Sequence, residues 1–141
     1  MDIVNVNNLK DTEMLAKKFS KLLRGGEVIL LNGDLGAGKT TFTKYLLKYL
    51  GVKDEVTSPT FTIMREYRSS KFDIYHFDMY RLSSGEEAQA FGLEDYIYSG
   101  NKNSIVLIEW SENIKDILVG KFIEVNITLQ DDGKRKFEIV R

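Results

Sequence analysis

The sequence predicts an α/β protein, a single domain over residues 1–141 with a mixed parallel and antiparallel sheet flanked by helices. Three observations predict it. "EVILLNG" from Glu27 and "SIVLIEW" from Ser104 are continuous apolar runs of strand length, the pattern of strands covered on both faces. An amphipathic helical segment follows the first of them directly. The remaining β-rich stretches come in neighbouring pairs separated by turn residues, which makes them antiparallel. The chain is long enough for one sizeable core, and 43% hydrophobic with 29% charged residues is ordinary for a globular protein.

Each element has a local cause. "TEMLAKKFSKLLRGG" spaces Met14, Leu15, Phe19, Leu22 and Leu23 along a helix, with Asp11 or Thr12 as its N-cap and Gly25 as its stop. After the strand in "EVILLNG", a second helix from Lys39 to Leu50 carries Phe42, Tyr45, Leu46, Tyr49 and Leu50 and ends at Gly51. "VTSPTFTIMREYRS" places the only proline, Pro59, before a β-rich run. "FDIYHFDMYRL" follows, and Ser69-Ser70 between the two runs predicts a hairpin. "SSGEEAQAFGLEDYI" reads as a short capped helix broken near Gly92. In the tail, "KFIEVNITLQDDGKRKFEIV" reads as two strands joined by a turn at Asp131 to Lys134.

Composition removes several functions. There is no cysteine, so disulfides, thiolate catalysis and cysteine-held metals are excluded. A net charge of −1 gives no long-range pull toward DNA, RNA or an anionic membrane. The one dense basic cluster, "GKRK" from Gly133, is too short for a nucleic-acid tail. "MDIVNVNN" lacks the basic start and apolar core of a signal peptide, and no apolar run reaches membrane-spanning length. The expected location is cytoplasmic.

"GDLGAGKT", Gly33 to Thr40, fits G-x-x-x-x-G-K-[ST] between a strand and a helix, the context that a phosphate-binding loop requires. Gly33, Gly36 and Gly38 permit backbone conformations and a closeness of approach that a Cβ would block. Their N–H groups, with those of Ala37, Lys39 and Thr40, suit a polyphosphate, and the helix starting near Lys39 adds its positive end. In this pattern the Lys39 ammonium bridges the β- and γ-phosphates of a nucleotide, and the Thr40 hydroxyl ligates magnesium. The expected fold is therefore a P-loop NTPase fold.

Further residues narrow the class. GTPases read guanine with Asn-Lys-x-Asp; "NKNS" from Asn101 ends in Ser104 and precedes its strand, which disfavours GTP. A kinase of small molecules would need an arginine-rich lid, and no segment offers one. "VLIEW" ends an apolar strand in Glu109, where a carboxylate can order the magnesium directly or through water. Trp110 beside it reads first as a core anchor close to that site. Within "HFDMYRL", His76 alternates with apolar residues and reads as structural, while Asp78 can orient water or support the metal. "SPTFT" offers the Ser58 and Thr60 hydroxyls as a switch segment sensing the γ-phosphate.

Together "GDLGAGKTTFTK", "TSPTFTI", "HFDMYRL", "GLEDYI" and "VLIEWSE" resemble, in order and spacing, the TsaE (YjeE) family of bacterial ATPases, from about Thr12 to Glu112. The resemblance implies a compact mixed-sheet fold that binds ATP with Mg2+ and hydrolyses it slowly alone. It implies action with TsaB and TsaD in forming threonylcarbamoyladenosine at position 37 of tRNA, with tRNA reached only through that complex. By matching motif, Gly36 to Thr41 cradle the phosphates, with Thr41 closing the run. Thr40 and Glu109 hold the metal, Asp78 and Thr60 serve switching and hydrolysis, and Trp110 lies close by. Thr12 matches a position near the adenine. The tail after Gly120 matches poorly, so a nucleotide contact from Lys134 or Arg135 stays open between the two. A small-molecule kinase and a module holding nucleotide only as a structural ligand remain the rival readings.

Overall fold

The computed structural model describes residues 2–34, 36–57, 59 and 63–141. Its elements in chain order are β1 (Asp2–Val6), α1 (Leu9–Ser20), β2 (Val28–Asn32), α2 (Lys39–Tyr49), β3 (Met64–Arg68) and β4 (Asp73–Asp78). Then come α3 (Gly85–Ala90), α4 (Leu93–Ile97), β5 (Ser104–Glu109), 3₁₀ turns over Ser111–Ile117, β6 (Ile123–Leu129) and β7 (Arg135–Val140). Among the described residues, seven strands form one sheet in the order β1-β7-β6-β2-β5-β4-β3. The middle is parallel, with β2 between β6 and β5 and with β4 beyond β5. Both margins are antiparallel: β1 on β7 and β7 on β6 at one side, β3 on β4 at the other. This is the mixed sheet that the sequence predicts.

Alternation along the central strands explains the two layers. Ile29, Leu31, Ile105 and Leu107 join Phe19, Phe42, Leu46 and Phe137 in a core beneath α1 and α2. The residues between them, Val28, Leu30, Val106 and Ile108, join Phe77, Met79, Leu93 and Ile114 on the opposite face. All six residues of β5 are buried, which is why its sequence is apolar without interruption. Phe42 packs between Phe19 and Phe137, with ring centroids 5.9 and 5.4 Å away, so α2 is anchored to both α1 and β7.

The predicted hairpins form. Ser69 Oγ accepts from the backbone N–H of Phe72 at 3.0 Å and closes the turn between β3 and β4, and the turn after β6 leads into β7. The broken helix divides into α3 and α4 at Gly92. Two boundaries differ from expectation. Helix α1 begins at Leu9, because the Asn8 side chain accepts from the Asp11 N–H at 2.9 Å and takes the N-cap role expected of Asp11 or Thr12. It ends at Ser20, ahead of Gly25. Strand β1 was not predicted, because its mostly exposed pattern carries little periodicity and its partner β7 lies at the other end of the chain.

Helices α1 and α2 are also tied at their surface. Glu13 Oε2 accepts from Tyr49 Oη at 2.7 Å and from Lys48 Nζ at 3.0 Å. The Tyr49 hydrogen bond, then that of Lys48, holds the Glu13 carboxyl below its ordinary value of 4.5. A depressed carboxylate contributes stability that is present above the unfolded value and is lost as pH falls through the folded one. Tyr49→Phe removes the larger cause, so an NMR titration of the Glu13 carboxyl is expected to move upward toward 4.5. An unchanged midpoint would show that the tyrosine hydroxyl does not hold this carboxylate.

Candidate nucleotide site at the carboxyl ends of the parallel strands

Parallel pairing brings the chemistry to one edge. Leu31 of β2 stands opposite Glu109 of β5, and Glu109 stands opposite Asp78 of β4. The chain leaving β2 toward α2 therefore passes the last residues of β5 and β4, outside the carboxyl ends where open α/β sheets place ligands. The turn that follows is built for close approach. Gly36 and Gly38 have φ of 82° and 111°, in the region that disfavours a Cβ. A Cβ on Gly33 would lie 2.7 Å from the Ile127 carbonyl oxygen of β6, so this glycine lets the loop start against the sheet.

Helix α2 opens at Gly38 with no side chain capping its N–H groups and no acidic residue in its first turn. Its positive end thus remains available to an anion. From the far strand, Arg135 Nε donates to the Ala37 carbonyl at 2.7 Å and Nη2 to that of Gly36 at 3.3 Å. Two loop carbonyls are turned toward a cation in this way. A Cβ on Gly38 would press on Arg135 Nε at 3.2 Å.

Beside the loop lies a cleft of about 310 Å³, at the lower end of the range of ligand sites. Gly36, Gly38, Lys39, Thr40 and Thr41 form one wall; Asp78, Tyr80, Glu109 and Trp110 form the other, with Arg135 at the margin. The structure thus brings together most of the residues singled out from the sequence. Lys39 is only 6% exposed, and its Nζ is buried without a hydrogen-bond partner among the described residues. It sits 4.1 Å from the centroid of the Trp110 ring. Trp110 is held there by a positive φ of 57° right after β5 and by Tyr80, whose ring centroid is 4.9 Å away. An aromatic face compensates an ammonium only partly, so this cation is ready for an anionic acceptor.

Thr12 lines a neighbouring pocket with Val6, Asn8, Leu9 and Phe137. The two spaces share Gly38, Thr41 and Arg135, so Thr12 stands one pocket beyond the phosphate loop. Gly33 and Ala37 are placed differently: both line the far side of the loop with Asn32 and Asn126. The Ala37 N–H is engaged within the turn, donating to the Asp34 carbonyl at 3.0 Å. Thr60 and Ser58 lie outside the described residues.

The acidic wall is ordered. Asp78 is buried and accepts from the Tyr80 N–H at 2.9 Å. Glu109 is 3% exposed; its Oε2 lies 2.6 Å from His76 Nε2. The alternation around His76 predicts a structural residue, and its contact with Glu109 is a signal that only the strand register supplies. With the Thr40 hydroxyl, these carboxylates form an oxygen donor set suited to a hard cation. Among the described residues, no group of three or more acidic or histidine side chains is arranged to hold a metal by itself. Magnesium fits such a partial set, since it keeps waters and takes phosphate oxygens as ligands. The structure also settles which residue of "GKRK" reaches the cleft. Arg135 shares the inward face of β7 with buried Phe137 and Ile139.

Comparison with known proteins agrees with this geometry. Residues 6–137 match the family described as threonylcarbamoyl adenosine biosynthesis protein TsaE. A tRNA threonylcarbamoyladenosine biosynthesis protein TsaE from Rickettsia felis is 43% identical over 136 residues, covering 96% of this chain and 77% of the relative. The protein of the same name from Bacillus subtilis is 36% identical over 129 residues, with 92% and 78% covered. The crystal structure of Bacillus subtilis YdiB superposes with a TM-score of 0.82 at 32% identity, over 98% of this chain and 83% of that one. A phosphate loop facing two strand-end carboxylates, within a match that spans nearly the whole chain, leaves one assignment: this chain belongs to the TsaE family of tRNA threonylcarbamoyladenosine biosynthesis.

Proposed function

We propose that this chain binds ATP with Mg2+ and hydrolyses it in the cytoplasm, as the ATPase component that acts with TsaB and TsaD to modify position 37 of tRNA. The observation that carries the reading is the buried Lys39 ammonium, which has no hydrogen-bond acceptor among the described residues and lines the cleft with the loop and two carboxylates. Lys39 would exchange the Trp110 face for the β- and γ-phosphates, gaining charge-assisted hydrogen bonds in place of a weaker contact. The amides of the Gly36–Thr41 turn and the start of α2 would hold the remaining phosphate oxygens. Thr40 and Glu109 would hold Mg2+, which when bound supplies charge neutralisation at the phosphate oxygens. The pocket beside Thr12 would take the adenine, with Arg135 between base and phosphates.

Asp78 would orient the attacking water, helped by its anchorage on the Tyr80 N–H. The water oxygen bonds to the γ-phosphorus as the bond to the β-bridging oxygen breaks. Thr60 and its segment would sense the γ-phosphate and form, with Asp78, the surface that TsaB and TsaD recognise. Loss of the γ-phosphate would then release that surface for another round. The net charge of −1 supports an indirect relation to tRNA, because a direct grip calls for a basic face.

With γ-labelled ATP, TsaB and TsaD present, the label is expected in free phosphate; a labelled small acceptor would establish a kinase instead, and intact ATP a structural ligand. Lys39→Ala is expected to lower turnover by about 100-fold or more, the scale for removing one preorganised donor. Glu109→Ala should abolish turnover, and wild-type rates in either variant would refute the assignment. Gly38→Ala forces a Cβ onto a φ of 111° and against Arg135. It should destabilise the fold by about 1–3 kcal/mol in thermal denaturation and weaken ATP binding together.

A further inference from the structure

The sole histidine of the chain sits under the acidic wall, and the proposed chemistry gives it no task. His76 is 1% exposed on β4, two residues before Asp78, and its Nε2 meets Glu109 Oε2 at 2.6 Å. A carboxylate that holds a metal only accepts, so with Glu109 in that role Nε2 is the donor of this bond. The other ring nitrogen, Nδ1, is buried without a partner among the described residues. A proton relay would need a second polar neighbour there, and the described residues offer none. What remains is a rigid donor, embedded in a central strand, aimed at one oxygen of a flexible side chain.

Glu109 needs such a donor. Its backbone is fixed, since β5 pairs on both sides and its carbonyl accepts from the Met79 N–H at 3.0 Å. Its side chain turns about three single bonds, so a donor fixed to one carboxylate oxygen is what sets the direction of the other. We propose that His76 is a positioning residue: it locks Oε2 of Glu109 and thereby keeps the other oxygen directed to the cleft for the magnesium of Mg–ATP. This role rests on the reading of Glu109 as a metal-holding carboxylate. Partners of this kind typically change metal affinity by about 10- to 100-fold.

Calorimetry of ATP binding, once with Mg2+ and once with EDTA, tests the proposal on wild type, His76→Leu and His76→Gln. Wild type is expected to bind more tightly with Mg2+. His76→Leu should lose about tenfold or more of that gain, with its affinity in EDTA unchanged. His76→Gln, whose amide nitrogen reaches the place of Nε2, should recover it. A full magnesium gain in His76→Leu, or no recovery in His76→Gln, overturns the proposal. Absence of ATP binding by wild type in both buffers would instead overturn the function proposed above, and this role with it. Should the leucine variant fail to fold, imidazole NMR of the wild type decides, because its one histidine gives one set of signals. A slowly exchanging Nε2–H that is lost in Glu109→Ala supports the lock, and a proton on Nδ1 alone refutes it.

Discussion

The parallel pairing of β2 with β5 is the constraint from which the site follows. Parallel neighbours deliver their carboxyl ends to the same edge, so the turn after β2 and the acid at the end of β5 cannot avoid facing each other. Adding β4 in parallel register brings Asp78 level with Glu109. None of this requires the residues to be near in sequence. It requires only that the three strands be buried on both faces, and the alternation of Ile29, Leu31, Ile105 and Leu107 against Val28, Leu30, Val106 and Ile108, with Ile74 and Phe77 of β4 on the two faces, supplies that.

On this frame the charges are arranged before any ligand arrives. Lys39 is buried on the Trp110 ring, Arg135 neutralises carbonyls on the back of the loop, and α2 begins without a cap. Opposite them, the Asp78 carboxylate accepts from the Tyr80 N–H and the Glu109 carboxylate meets His76 Nε2. Cationic and anionic groups therefore line one cleft, with the Lys39 ammonium unpaired among the described residues. A site in that condition suits a ligand that is itself anionic and carries a hard cation between the walls. The aromatic pair of Tyr80 and Trp110 lines the same cleft, and the Trp110 face holds the Lys39 ammonium there.

Local pattern by itself determined much of this protein. The glycines and lysine of the loop, the uninterrupted strands on either side of the site, α2 and both hairpins depend on neighbours in sequence, through steric freedom, burial on two faces and turn chemistry. These features are legible without coordinates. The order and spacing of the five motifs also carried the family, which the comparisons bear out.

Tertiary structure decided whatever depends on which side chain meets which across the sheet. The sequence offered Lys134 and Arg135 equally, and only the pairing of β7 with β6 turns Arg135 onto the loop. His76 looked like any histidine in an alternating strand until the register of β4 on β5 set it against Glu109. Strand β1 gained its structure from β7, and Asn8 displaced the expected N-cap because its own side chain closed the first turn. The physical reason is common to all of them. Backbone propensity is set within a few residues, whereas a hydrogen bond between side chains far apart in sequence exists only once strand order and register are fixed.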